Sequence, residues 1–238
     1  MRKIGLFGVV LWMMLGCAKD GAVMEDPRAG GAMESSSGQP GVKSSVPQPK
    51  APANSTLKAV LGQAAPEFEL TSYEGQAVRL SDYRGKVVVL EWFNPECPFV
   101  HYAYDEGPMK AMIREARGQG VVWLGINSGG PGKQGHGSVV NLKAKKDWQL
   151  QHAILVDQDG RVGRQYEAIK TPHMYVINRK GTLVYRGALD SSRGAKPDAE
   201  DTYSNYTRQA IAATLKDAPV PEPRATKAWG CSVKYAPQ

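Results

Sequence analysis

Domain-like patterning of apolar and polar positions begins near Val60. Phe68-Glu69-Leu70 and Val78-Arg79-Leu80 alternate with period two around the turn residues Glu74-Gly75, which predicts two short strands. Lys86 to Phe93 (KVVVLEWF) is almost continuously apolar and rich in β-branched residues, the pattern of a central strand buried on both faces. Phe99 to Arg117 has helical spacing, with Met109, Met112, Ile113 and Ala116 on one side. Val121 to Ile126 (VVWLGI) predicts another buried strand and Ser138 to Trp148 a second helix. Ile154-Leu155-Val156, Met174 to Asn178 and Leu183 to Arg186 complete the strands. The last two bracket a turn over Asn178 to Gly181 and form an antiparallel hairpin. Thr202 to Lys216 closes the domain as a helix. Strands alternating with helices, then a hairpin and a helix, predict an α/β fold on a mixed sheet. No internal repeat interrupts that pattern.

The first part of the chain follows other rules. Met1 to Lys3 are positively charged at their end, and Ile4 to Met14 form an apolar run of signal-peptide length. That run is shorter than the ~20 residues a membrane-crossing helix needs. Met14-Leu15-Gly16-Cys17 resembles the lipobox of bacterial lipoproteins, with Met at the usual Leu position. The resemblance implies cleavage after Gly16 and lipidation of Cys17, and so a protein exported to the cell envelope, periplasm-facing or at the outer membrane. The competing reading is a plain secretory signal in which Cys17 has no special role. From Ala18 to about Thr56 the chain is rich in Gly, Pro, Ser and Gln and nearly free of large apolar residues. Such a segment cannot offset its ordering entropy, so it predicts a disordered, flexible tether. The expected organisation is a signal peptide over 1–16, a lipid-anchored linker over 17–58, a globular domain over 59–218 and a C-terminal tail over 219–238.

Composition narrows the function. The formal net charge of +7 falls to +5 without Arg2 and Lys3, and no dense Lys/Arg run appears, so no nucleic-acid partner is expected. The three cysteines, Cys17, Cys97 and Cys231, are too few for a disulfide scaffold. No zinc-type cluster or serine-hydrolase motif is present. Gly129 to Gly137 (GGPGKQGHG) lacks phosphate-loop spacing, because Gln134 follows Lys133, and is expected to be a flexible loop. Asp157-Gln158-Asp159-Gly160 lacks the ligand series of a calcium loop and predicts a turn. No cofactor and no metal is implied.

The informative stretch is Trp92-Phe93-Asn94-Pro95-Glu96-Cys97-Pro98-Phe99-Val100, which leaves a buried strand and opens a helix. A thiol there meets the positive end of the helix dipole, which favours thiolate over thiol. A thiol of pKa ~8.5 is about 3% ionised at pH 7, whereas one of pKa ~6 is about 90% ionised. Position alone thus makes Cys97 the candidate nucleophile, against the alternative of an inert core cysteine.

Leu61 to Tyr235 resembles the peroxiredoxin-like redoxin branch of the thioredoxin superfamily, the alkyl hydroperoxide reductase and thiol-specific antioxidant group. The residues carrying the resemblance are Ala65-Pro66-Glu67-Phe68, Leu80-Ser81-Asp82-Tyr83-Arg84-Gly85-Lys86, Cys97-Pro98-Phe99-Val100, Gly125-Ile126-Asn127, Thr171-Pro172 and Tyr185-Arg186-Gly187. The tail Gly230-Cys231-Ser232-Val233-Lys234-Tyr235 is similar to a C-terminal signature of one subgroup. The resemblance implies a thioredoxin-like fold, with a central mixed β-sheet flanked by helices. It implies a cis-Pro172 beside Cys97, with Asn94, Pro98, Thr171 and His173 as active-site neighbours. It also implies an antioxidant or oxidoreductase activity on a thiol/disulfide protein partner or a small peroxide.

The pattern departs from the family at two places. Asn94 and Val100 stand where a Cys-x-x-Cys partner of Cys97 would be, and Leu90 and Asn94 stand where a peroxidatic Pro-x-x-x-Thr/Ser-x-x-Cys would have its proline and hydroxyl. Cys231 is then the candidate resolving cysteine, with a structural staple and an unpaired tail thiol as its other readings. His101, four residues after Cys97, is a candidate for tuning the thiol or for a copper site. Three functions stay open from sequence: an envelope thiol oxidoreductase working by disulfide exchange or peroxide reduction, a non-catalytic binding module, and a copper-handling protein.

Overall fold

The computed structural model describes residues 57–195 and 203–238. The expected signal peptide, Cys17 and the linker up to residue 56 lie outside the described residues. A seven-stranded sheet has the order β2-β1-β5-β4-β3-β7-β8. Its strands are β1 (Glu69–Ser72), β2 (Ala77–Arg79), β3 (Val88–Trp92), β4 (Val122–Asn127), β5 (Ala153–Val156), β7 (His173–Ile177) and β8 (Leu183–Gly187). The three strands β5, β4 and β3 run parallel, and the pairs β3/β7, β7/β8, β1/β5 and β1/β2 are antiparallel. The sheet is mixed, as expected, and the 174–186 hairpin is present with its Gly181 N–H donating to Asn178 O at 2.8 Å.

The helices are α1 (Pro98–Asp105), α2 (Met109–Gly118), α3 (Ser138–Asp147), α4 (Arg161–Gln165) and α5 (Tyr206–Leu215). They cover a sheet whose two faces carry separate cores. Val89 of the central strand and Phe93 just after it point into one, with Met112, Trp148 and Ile211; Leu90 and Trp92 point into the other, with Phe68, Tyr166 and Tyr175. Strict alternation along β3 sorts its side chains between the two.

The single helix expected over 99–117 is two helices. Pro108 brings no N–H, and a Cβ at Gly107 would lie 2.9 Å from Ala103 O, so the chain breaks there and restarts at Met109. The closing helix begins at Tyr206 rather than Thr202, because Asn205 caps it: its Oδ1 accepts from Arg208 N at 2.8 Å. The first strand lies one to two residues later than its apolar alternation suggests. Two short strands, β6 (Lys170–Thr171) and β9 (Cys231–Ser232), pair into a second, two-stranded ladder that the pattern did not foretell. Among the described residues no helix is long and apolar enough to cross a membrane.

Candidate active site

Strand β3 ends at Trp92, and the chain turns sharply before α1. The turn is held by Asn94: its carbonyl accepts from Cys97 N at 3.1 Å, and its Oδ1 accepts from Glu96 N at 2.9 Å. Cys97 is the N-cap of α1 and Pro98 its first residue, where a missing N–H costs nothing. The Cys97 carbonyl takes the N–H groups of Val100 and His101. The sulfur therefore sits at the positive end of an eight-residue helix and is fully buried.

Across from it, the Thr171-Pro172 peptide is cis. The Cys97 thiol donates to Thr171 O at 3.2 Å. The Thr171 hydroxyl is buried without a hydrogen-bond partner in this resting state, so a donor is on hand for a thiolate. Cys231 is brought to the same corner by the small ladder, in which Thr171 and Cys231 are paired residues. Both cysteines are free thiols. The tail thus reaches Cys97, which sequence alone left open.

Gly230 makes that approach sterically feasible. Its φ is +119°, and a Cβ there would lie 2.1 Å from Thr171 O, far inside contact distance. The tail is fastened on either side of this point. Thr226 Oγ1 accepts from Ala188 N at 2.8 Å, and Trp229 Nε1 donates to Asp190 O at 2.9 Å while its ring packs on Phe99. Beyond Cys231, Lys234 O accepts from Gly130 N at 2.8 Å, Tyr235 Oη donates to Ala168 O at 2.7 Å, and Arg164 bonds Ala236 O while lying over the Tyr235 ring. The glycine loop expected to be merely flexible is pinned: Asn127 and Asn141 both donate to Gly135 O, and Glu96 accepts from Gly135 N.

The two thiols differ in acidity. Burial raises the Cys97 pKa, but the Cys231 thiol, the Thr171 hydroxyl and the N–H groups of Val100 and Cys231 are donors within reach of the thiolate and outweigh it, leaving the thiol below its ordinary value. Burial and the adjoining Cys97 push Cys231 up to about 11. The pair is asymmetric: one sulfur is disposed to be thiolate, the other thiol.

Other expected neighbours are elsewhere. His173 faces away from Cys97, on the Trp92 and Tyr175 side of the sheet. Its Nδ1 lies 3.0 Å from Tyr175 Oη, and burial lowers its pKa to about 3, so it brings no positive charge to the thiol. His101 is exposed, with Nδ1 3.2 Å from Asp105 Oδ2 and its ring against Trp148. Asn94 spends its side chain on the turn and on Gln134 rather than on the sulfur. Among the described residues no three His, Cys, Asp or Glu side chains converge on a metal-sized site.

Sequence reading missed Glu91. It is buried in β3, accepts from Tyr104 Oη at 2.8 Å and Trp123 Nε1 at 2.9 Å, and leaves Oε1 unpartnered. Burial lifts it to about 7. A lone acid inside the run KVVVLEWF was the signal that could have found it.

Comparison with known proteins agrees with this geometry. The chain is similar to the thiol-disulfide oxidoreductase ResA of Geobacillus kaustophilus, 30% identical over 130 residues, which are 52% of this chain and 66% of that protein. It is also similar to ResA of Bacillus subtilis, 26% identical over 124 residues, or 52% and 64% of the two. The chain thus spans about two thirds of the length of these relatives. Among solved structures, an uncharacterized conserved protein from Geobacillus kaustophilus superposes with a TM-score of 0.65 at 29% identity, covering 75% of this chain and 94% of that one. A hypothetical protein from Sinorhizobium meliloti 1021 has the same TM-score at 23% identity, covering 76% and 97%, and shares the fold. The AhpC/TSA family matches residues 61–186, more than half of the sequence. That span takes in the Cys97 corner, the cis-Pro172 bend and nearly all of the terminal hairpin, and the chain belongs to the AhpC/TSA family of the thioredoxin superfamily.

Proposed function

We propose that the protein is a thiol–disulfide oxidoreductase whose redox pair is Cys97 and Cys231. The observation carrying this reading is the Thr171–Cys231 register, which sets the tail thiol beside a helix-capping thiol of lowered pKa. The names of the ResA relatives support the same reaction class. In the reduced form two thiols face each other; in the oxidised form one S–S bond joins them, and two electrons pass to or from a partner's dithiol or disulfide. No Cys-x-x-Cys is needed, because the tail supplies the second sulfur.

Peroxide reduction is a second use of the same pair, favoured by membership of the AhpC/TSA family. There Cys97 thiolate would attack one peroxide oxygen and break the O–O bond, becoming sulfenic acid while the other oxygen leaves as water or an alcohol, and Cys231 would condense with the sulfenic acid, releasing water. Against it stands Asn94, whose side chain is tied into the turn where that family has a hydroxyl. The lipobox-like Met14 to Cys17 supports an anchored, envelope-facing protein. Cys17→Ala is expected to shift the protein from the membrane fraction to the soluble one.

The deciding experiment poises the protein in glutathione redox buffers, alkylates it, and maps the products by mass spectrometry. A single Cys97–Cys231 disulfide is expected, together with reduction of a model protein disulfide that Cys97→Ser abolishes. A Cys97→Ser protein with full activity would refute the reading. Faster turnover of hydrogen peroxide than of disulfides would select the second use.

A further inference from the structure

We infer that Cys231 is the outer sulfur of the pair: a partner thiol carried in an acidic segment exchanges with Cys231, and Cys97 works from within. This rests on the redox-pair reading above and assigns the order of its two sulfurs.

Access is the first argument. Thiol–disulfide exchange requires the attacking thiolate to reach one sulfur, and which sulfur is reached decides which one leaves. Cys97 has 0% of its surface exposed, beneath the cis-Pro172 bend and the tail. Cys231 is partly exposed, on a two-residue edge strand beside solvent-facing Ser232. An incoming sulfur meets Cys231 first.

The second argument is the leaving group. In the oxidised chain a partner thiolate attacks Sγ of Cys231, the S–S bond breaks, and its electron pair goes to Cys97 Sγ. That site is built to hold it, with the Thr171 hydroxyl, the Val100 N–H and the α1 N-terminus around the sulfur. The partner's second thiolate then attacks the partner sulfur of the mixed disulfide, and Cys231 leaves and takes up a proton. The partner ends as a disulfide and the chain as a reduced pair, with two electrons transferred and the remaining proton passed to solvent. Attack on Cys97 instead would expel Cys231, whose sulfur sits on a two-residue strand with no helix N-terminus to receive the charge.

The surface beside Cys231 indicates the partner. A groove of about 520 Å³ runs along Lys170, Gly230, Trp229 and Lys227 to Arg193 and Asp190. Lys170, Arg193 and Lys227 have no ion-pair partner among the described residues. Asp190, the acid lining the groove among the described residues, already accepts from Ser192 and from the Tyr203 hydroxyl. Three cations with no ion-pair partner among the described residues, along a groove that starts beside an accessible sulfur, complement a segment with carboxylates flanking its cysteine.

The test uses the full chain, oxidised with diamide and then exposed to reduced glutathione as an anionic probe thiol. Samples are quenched at early times with N-ethylmaleimide in denaturant and mapped by tandem mass spectrometry. Glutathione on Cys231 with maleimide on Cys97 is the expected intermediate. Glutathione on Cys97 with maleimide on Cys231 would overturn the order, and would mean that the tail swings away to bare Cys97. Failure of diamide to join Cys97 to Cys231 would instead remove the redox-pair reading itself. For the groove, the rate with glutathione is compared with that of the cationic thiol cysteamine. The ratio should favour glutathione and fall by about tenfold in Lys170→Glu/Lys227→Glu. An unchanged ratio would overturn the acidic-partner assignment while leaving the sulfur order standing.

Discussion

The two cysteines of this protein are held in place by opposite means. Cys97 is fixed by the core: a five-residue buried strand leads to it, an eight-residue helix leaves it, and Asn94 locks the turn between. Cys231 sits on a two-residue strand in a tail that has no helix of its own and is fastened at a few points, Thr226, Trp229, Gly230, Lys234 and Tyr235 among them. The tail is held by side-chain bonds, one buried indole and a two-residue ladder rather than by a long strand or helix of its own, so it can open without disturbing the central sheet. The contrast teaches how the proposed dithiol would divide its labour. One sulfur is enclosed between strand and helix, and the other is partly exposed on a separate short strand.

That division can be broken most severely at Gly230. A Gly230→Val side chain would collide with Thr171 O from a backbone conformation that β-branched residues avoid, a penalty of roughly 3 kcal/mol. The tail should lift, and the rate of Cys97 alkylation by a bulky maleimide should rise about a hundredfold while far-UV circular dichroism stays the same. Trp229→Ala removes the packing on Phe99 and the bond to Asp190 O, and should raise that rate by about tenfold. No change in either variant would mean that the tail does not cover the buried sulfur.

Two smaller effects sharpen the Cys97 side. Thr171→Val keeps the shape of a side chain whose hydroxyl has no partner at rest, so stability should hold or rise slightly. The midpoint of Cys97 alkylation against pH should nevertheless move upward, because the thiolate loses a donor. An unmoved midpoint would remove Thr171 from the site. The smallest effect concerns Glu91, raised by burial from 4.5 to about 7. Between those values the folded chain holds a proton that the unfolded chain has released, so the Glu91 contribution to stability falls as pH rises through this window. Chemical denaturation at pH 5 and pH 8 should show that stability at pH 8 relative to pH 5 is higher in Glu91→Gln than in the parent. Asp157 acts in the same direction, and buried His152 and His173 act in the other, so only the difference between the two proteins isolates Glu91.

The same contrast explains what was legible in the sequence. The Cys97 side is written in local rules: a β-branched run, a turn residue, a proline at the first helical position. Those rules are enough to mark the strand, the corner and the thiol. The Thr171-Pro172 bend was legible through the family resemblance. The location of Cys231 was not, because a two-residue ladder has no periodicity and its partner lies sixty residues upstream in an equally short strand. Trp229 and Gly230 were invisible for the same reason: their importance is a distance to Thr171 and Phe99, not a pattern. The break at Gly107-Pro108 is marked by its residues and by a shift of phase, since the buried positions 100, 103 and 104 do not continue at helical spacing into 109, 112, 113 and 116. His173 was misdirected by proximity in sequence to Pro172; alternation along β7 turns it to the other face.

The pairing of Thr171 with Cys231 also ties the oxidation state to the cohesion of the whole domain. A bond from Cys97 to Cys231 would close a loop of about 130 residues that spans most of the sheet. Constraining an unfolded chain over such a length stabilises the folded form by roughly 5 kcal/mol on the chain-entropy view. By linkage, the fold returns the same free energy to the bond by presenting the two sulfurs to each other at high effective concentration. A tail that grips harder makes a disulfide that is harder to reduce, and one that grips loosely makes a stronger oxidant. If Cys97 and Cys231 are the redox pair proposed above, the contacts around Gly230 are the adjustment by which its redox poise is set.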